Sequence, residues 1–182
     1  MSESTGPPEE AYGRVTNPER YRILHSAGLA LLDRLSDQFL VERREGHDVD
    51  TGLPHDAETE RVIRLVPSAE GAGSLTIVFS TFPGLLVRFG EWHVEAYPSC
   101  GCDACDEDPS YLVDTLTGHV IDLVSGQFSE SIGKGRKTWK SYQFSTASGS
   151  SLLNAEDPPL PRGADRHWKP WSLRHPETPA KA

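Results

Sequence analysis

All three cysteines of the chain fall in one stretch, AYPSCGCDACDEDPS at residues 96–110, as Cys100, Cys102 and Cys105. Spacing of the C-x-C-x-x-C type in a tight turn can direct several sulfurs to one point about 2.3 Å from a zinc ion, and a helix beginning just after the turn helps to stabilise thiolates. Zinc takes four donors. His93 is the first choice for the fourth, because it stands on the run leading into the turn, and Asp103 or Asp106 come next. Two rival chemistries use the same residues. Cys102 and Cys105 form a C-x-x-C pair open to redox chemistry, although a reducing cytoplasm disfavours a stable bridge and an odd count leaves one thiol over. A cysteine nucleophile with His93 as its base would lack a third group to orient the imidazole. Asp103, Asp106, Glu107 and Asp108 oppose a reactive thiolate by like-charge repulsion and favour a bound cation. Metal ligation therefore leads, buried structural thiols follow, and redox or nucleophilic chemistry comes last.

The elements that must position this turn are readable from periodicity. Tyr21, Leu24, Gly28, Leu31, Leu32, Leu35 and Phe39 recur at steps of three and four, which makes one apolar helical face. Thr16 or Asn17 with Pro18 supplies a start, Thr16 and Glu19 have capping-box spacing, and Arg43, Arg44 and Gly46 are read as the end. Next come RVIRLVP, SLTIVFS and GLLVRFGEWHVEAYP, rich in β-branched and aromatic residues and separated by turn-forming stretches. They read as an antiparallel meander whose last strand carries Trp92, Val94 and Ala96 on one face and Glu91, His93, Glu95 and Tyr97 on the other, polar one. A second helix starts at Asp108-Pro109, buries Leu112, Val113, Leu116, Val120, Leu123 and Val124, and stops at Gly126, with His119 on its surface. Strands near 127–132 and 138–144 flank GKGRK. The fold expected is α+β: an antiparallel sheet of five to six strands packed on two main helices.

Residues 1–15, rich in Pro, Glu, Ser and Gly, read as a flexible tail, residues 16–145 as one domain, and residues 146–182 as an irregular extension. Trp168 and Trp171 would be wasted on a free extension and are expected to dock. Elsewhere the chemistry is weaker. His25 borders the first helical stripe as a structural residue. His47, Asp48, Asp50, His55 and Asp56 occupy an acidic loop better read as solvated than as a metal site. The basic, aromatic hairpin GKGRKTWKSYQF is read as a solvated turn rather than a nucleic-acid patch.

A net charge of -9 over 182 residues disfavours nucleic acid and anionic membranes as partners. No apolar run is long enough to span a bilayer, and the acidic beginning is unlike a secretory signal, so a cytoplasmic location is expected. Phosphate loops of the G-x-x-x-x-G-K-[ST] type, H-E-x-x-H and G-x-S-x-G are absent.

YGRVTNPERYRILHSAGLALLDRL together with FGEWHVEAYPSCGCDACDED resembles an actinobacterial family of small proteins known only as a domain of unknown function. The resemblance covers most of residues 12–145, implies that the cysteine turn belongs to the domain, and brings no activity or ligand with it. Two functions follow from the residues. The favoured one is an acidic binding or interaction module with a structural zinc knuckle and a protein partner, an immunity-type protein that masks a basic toxin being one form. The alternative is a metal-dependent or thiol enzyme centred on Cys100, Cys102, Cys105 and His93.

Overall fold

In a computed structural model of the protein, residues 6–46, 59–135, 138–153 and 159–175 are described. The first helix begins later than its capping signals imply. Pro18–Tyr21 forms a 3-10 turn, and the α-helix α1 runs Arg22–Gln38, burying Leu24, Gly28, Leu31, Leu32 and Leu35. Neither Thr16 nor Asn17 caps it; the Thr16 hydroxyl and N–H donate instead to the Asp103 carboxylate, at 3.1 and 2.9 Å. Nor do Arg43 and Arg44 lie in its last turn. They belong to a strand, β1 (Val41–Glu45), held by Arg43–Asp33 and Arg61–Glu45 pairs at 2.5 and 2.6 Å.

Strands β2 (Thr59–Pro67), β3 (Leu75–Ser80), β4 (Leu85–Phe89) and β5 (His93–Tyr97) join β1 in a five-stranded antiparallel meander, as the alternation of β-branched residues dictates. Register settles which face is buried. The cross-strand rows Leu65–Leu75–Phe89–His93 and Ile63–Ile77–Val87–Glu95 run over one face, with Phe79–Leu85–Tyr97 beside them. The apolar members of these rows form one buried cluster with α1 and with helix α2 (Pro109–Ser125). The face of β5 that reads as polar is therefore the face turned into the core.

A second sheet, unforeseen as a separate layer, has the order β8-β7-β6-β9, from β6 (Ser129–Ile132), β7 (Trp139–Gln143), β8 (Ser148–Leu152) and β9 (Asp165–His167). The last two lie in the stretch expected to be irregular. Past β9, Trp168 donates through Nε1 to Glu130 at 3.1 Å, and Trp171, 4% exposed, donates to the Gly73 carbonyl at 2.9 Å. Leu40 N–H to the Ser172 carbonyl and Arg174 N–H to that of Gln38, both 2.8 Å, carry the segment across to the end of α1. The boundary expected at residue 145 is crossed by all of these bonds.

Glu130 joins the two sheets. Its carboxylate, 2% exposed, accepts the N–H groups of Glu91, Trp92 and His93 at 2.6–2.8 Å as well as that of Trp168. Burial outweighs these bonds and holds its pKa above the ordinary value. Gly90 precedes this turn with φ +65°, and a Cβ there would collide with the Glu130 carboxylate, so both conformation and space call for glycine. No described helix is long and apolar enough to cross a membrane.

Glu130→Ala should strand four N–H donors in the interior and cost about 3 kcal/mol or more, read as a lowered urea midpoint. A cost under about 0.5 kcal/mol would mean that the sheets are held together elsewhere.

Candidate metal centre

The turn between β5 and α2 is folded by its own carboxylates. Glu107 accepts the N–H groups of Ser99, Cys100 and Gly101 at 3.0–3.3 Å and the Ser99 hydroxyl at 2.9 Å. Burial raises its pKa, but these bonds outweigh that and keep it below the ordinary value. Asp108 caps α2 by accepting from Ser110 N–H at 2.8 Å. Between them the chain doubles back, with the N–H groups of Cys105 and Asp106 both 3.2 Å from the Cys102 carbonyl. Gly101, at φ +78°, leaves its missing Cβ 2.8 Å from Phe82, so the β3–β4 turn packs on the cysteine turn.

This backbone gathers the sulfurs of Cys100, Cys102 and Cys105 within 4.8 Å of one another. Three thiolates around one tetrahedral zinc at about 2.3 Å lie roughly 3.8 Å apart, so the cluster fits such an ion with only small adjustment. Cys100 and Cys105 are exposed and Cys102 is buried. Hydrogen bonds from the Cys100 thiol and from Cys105 N–H lead in lowering the Cys102 pKa to about 6, with a smaller contribution from Gly13 N–H. Its bonds to Cys102 and Cys100 push Cys105 up to about 12. One thiolate at Cys102 is thus favoured over three equal thiols, despite the acids nearby. Those acids are engaged: Asp103 with Arg14 at 2.8 Å and with Thr16, Asp106 with Arg20, and Glu107 with the turn itself.

The N-terminal segment is part of this centre. Asp103 N–H donates to the Arg14 carbonyl at 2.8 Å, Ala104 N–H to the Ala11 carbonyl at 3.2 Å, and Ala11 is buried at the end of a 3-10 turn, Glu9–Ala11. The stretch expected to be free up to residue 15 is therefore docked from Ala11 onward, since backbone bonds need no apolar side chains. Residues 1–5 and the acidic loop with His47, Asp48, Asp50, His55 and Asp56 lie outside the described residues.

His93 is not brought to the sulfurs. It stands at the far end of β5, with its ring stacked on Tyr142 at 3.7 Å between centroids and packed near Phe89, Phe128 and Phe144. Its Nε2 lies 3.1 Å from Glu95 Oε1, close enough for charge attraction but not aligned as a hydrogen bond. The expectation of His93 as fourth ligand fails because its ring points into the core rather than toward a solvated face.

A second polar centre forms there instead. Glu95 accepts from Tyr97 Oη at 2.5 Å and from His119 Nδ1 at 2.8 Å, while the His119 ring stacks on Phe144 at 4.0 Å with planes 5° apart. His119 is buried, not on the surface. Leu112, Leu116, His119 and Leu123 are spaced by four, three and four, a signal that identifies it as a core position. His25 is structural, with Nε2 3.0 Å from the Gly84 carbonyl. In the basic hairpin, Tyr142 and Phe144 pack against these imidazoles, while Trp139 is exposed.

With both centres in place, comparison adds one fact. A model of a family of unknown function, DUF6226, matches residues 2–175. The chain belongs to that family. The match takes in both sheets, both helices and the cysteine turn, so all are parts of one family unit. No curated protein and no solved structure matches the chain.

Burial, outweighing attraction to Glu95, keeps His93 below its ordinary pKa of 6.5. It binds a proton more readily in the unfolded chain, so stability should fall as pH drops below about 6.5. For Glu95, burial raises the pKa, yet the hydrogen bond from His119, the close approach of His93 and the hydrogen bond from Tyr97 outweigh it and hold the group well below its ordinary 4.5. Its contribution should be complete above about pH 4.5 and lost progressively below. Glu95→Gln should cost about 3 kcal/mol at neutral pH and flatten the dependence below pH 4.5, in urea melts taken at a series of pH values. An acid limb unchanged in that variant would place the sensitivity in other groups.

Proposed function

We propose that the protein is a non-enzymatic binding or interaction module whose cysteine turn holds a structural zinc ion. The observation that carries the reading is the convergence of Cys100, Cys102 and Cys105 within 4.8 Å. Burial of Cys102 supports it, since a buried sulfur suits a structural ligand better than a nucleophile that must meet a substrate. An ion here would tie residues 11–16, the end of β5 and the start of α2 into one junction, and ligand binding of this kind is folding free energy. Thiols of this sort need a reducing compartment, in keeping with the cytoplasm. The net charge of -9 suits a basic protein partner, and an immunity-type role is one form of that.

The alternative, a metal-dependent or thiol enzyme centred on the same turn, draws on one observation: the Cys102 pKa near 6. Elemental analysis of purified protein with and without a strong chelator separates the readings. One equivalent of zinc is expected per chain, with a melting temperature about 5 °C or more lower after chelation. Protein that takes up no metal, or metal-loaded protein whose midpoint is unmoved by chelation, would refute the structural reading.

Variants locate the ligands. Cys102→Ser should abolish metal retention, and deletion through Val15, which removes the Ala11 and Arg14 carbonyls that accept from the turn, should weaken it by about tenfold as loss of a supporting bond does. His93→Ala should leave it unchanged while lowering stability. Metal loss in His93→Ala with the fold intact would restore that residue as a ligand.

A further inference from the structure

The three sulfurs account for three of the four donors that zinc prefers. Among the described residues no fourth completes the group, and the carboxylates of the turn are committed to Arg14, Thr16, Arg20 and backbone N–H groups. Beside the cluster lies a groove of about 320 Å³, with Cys100 in its wall together with Phe82, Leu86, Ala96, Tyr97 and Pro98. Its walls are largely apolar. Phe82 is 37% exposed, so an incoming apolar group would bury it. A groove of this size accommodates one small molecule rather than a stretch of polypeptide.

We propose that the bound ion keeps one coordination position for an external ligand: a small neutral heteroaromatic nitrogen base of the imidazole class, its apolar body seated in the groove beside Cys100. This inference rests on the metal reading above. Charge selects the donor. Three thiolates leave a divalent ion with net negative charge, and the same turn carries Asp103, Asp106, Glu107 and Asp108, of which Asp103 and Asp106 are paired with Arg14 and Arg20. An anionic fourth ligand would add to that excess, whereas an imidazole nitrogen adds none and suits zinc as a donor. The apolar body then gains affinity by leaving water against Phe82 and Leu86.

The test uses full-length protein reduced and loaded with cobalt(II), whose visible ligand-field bands report the coordination sphere. Imidazole, 4-phenylimidazole and N-acetylhistidinamide are titrated separately. All three should shift the bands, with 4-phenylimidazole binding about tenfold more tightly than imidazole, the gain expected from burying one phenyl face. N-acetylhistidinamide should show no gain, because its amides would lose water in an apolar groove. Ala96→Phe and, separately, Leu86→Trp should keep cobalt stoichiometry and imidazole binding but remove the phenyl advantage. Retained cobalt with bands that no ligand moves would mean a closed site, overturning this inference and leaving the metal reading intact. Equal affinities for imidazole and 4-phenylimidazole, an advantage that survives both variants, or tighter binding of the histidine derivative would also overturn it. Failure to take up cobalt would overturn both readings.

Discussion

A single buried carboxylate decides how the two sheets meet. Glu130 projects from β6 into the turn between β4 and β5, and its two oxygens take three consecutive backbone N–H groups and the Trp168 indole. The N–H groups of Trp92 and His93 are buried where β4 turns into β5, and the carboxylate satisfies them there. Its own desolvation is the cost, visible in the raised pKa. Once the corner is anchored, Tyr142 of β7 and Phe144 just beyond it fall against His93 of β5 and His119 of α2, and the strap through Trp168 and Trp171 is led back across the end of α2.

Strand β5 consequently runs between two polar centres of different character. Along the strand Glu95 is enclosed by Tyr97, His119 and His93, and its oxygens find their donors within the core. Beyond its end, Glu107 wraps the cysteine turn from inside while Asp103 and Asp106 reach out to Arg14 and Arg20. In all these places a carboxylate organises backbone, guanidinium or imidazole donors. Much of the negative charge in this region is thereby structural.

Both helices and the strands β3 to β5 were legible because apolar residues repeat at helical or alternating spacing. β1 was not, since VERRE at an edge is charged on both faces and its support comes from ion pairs with α1 and β2. β8 and β9 were hidden by composition: SGSSL pairs along β7 through its backbone, while its side chains contribute little to the core. The cysteine cluster could be read directly from spacing, but not the carbonyls of Ala11 and Arg14 that hold its turn from far back in the chain. His93 was misplaced for a different reason. Alternation shows that His93, Glu95 and Tyr97 share a face, yet only the register with Phe89, Val87 and Leu85 shows that this face looks inward.

The strap also bears on the order in which a growing chain can close. Arg174 bonds to the carbonyls of Ser36 and Gln38, and Trp171 to that of Gly73, so the residues beyond β9 complete contacts with the first helix and with the turn between β2 and β3. Sequence separations of about a hundred residues make these among the slowest pairings to form. A chain emerging from the ribosome can build α1 and the meander early, but their exposed ends stay uncovered until the segment beyond β9 has left the exit tunnel. The chain therefore passes through an interval in which those ends are open to aggregation or to chaperones, and that interval closes only once the strap has been laid down.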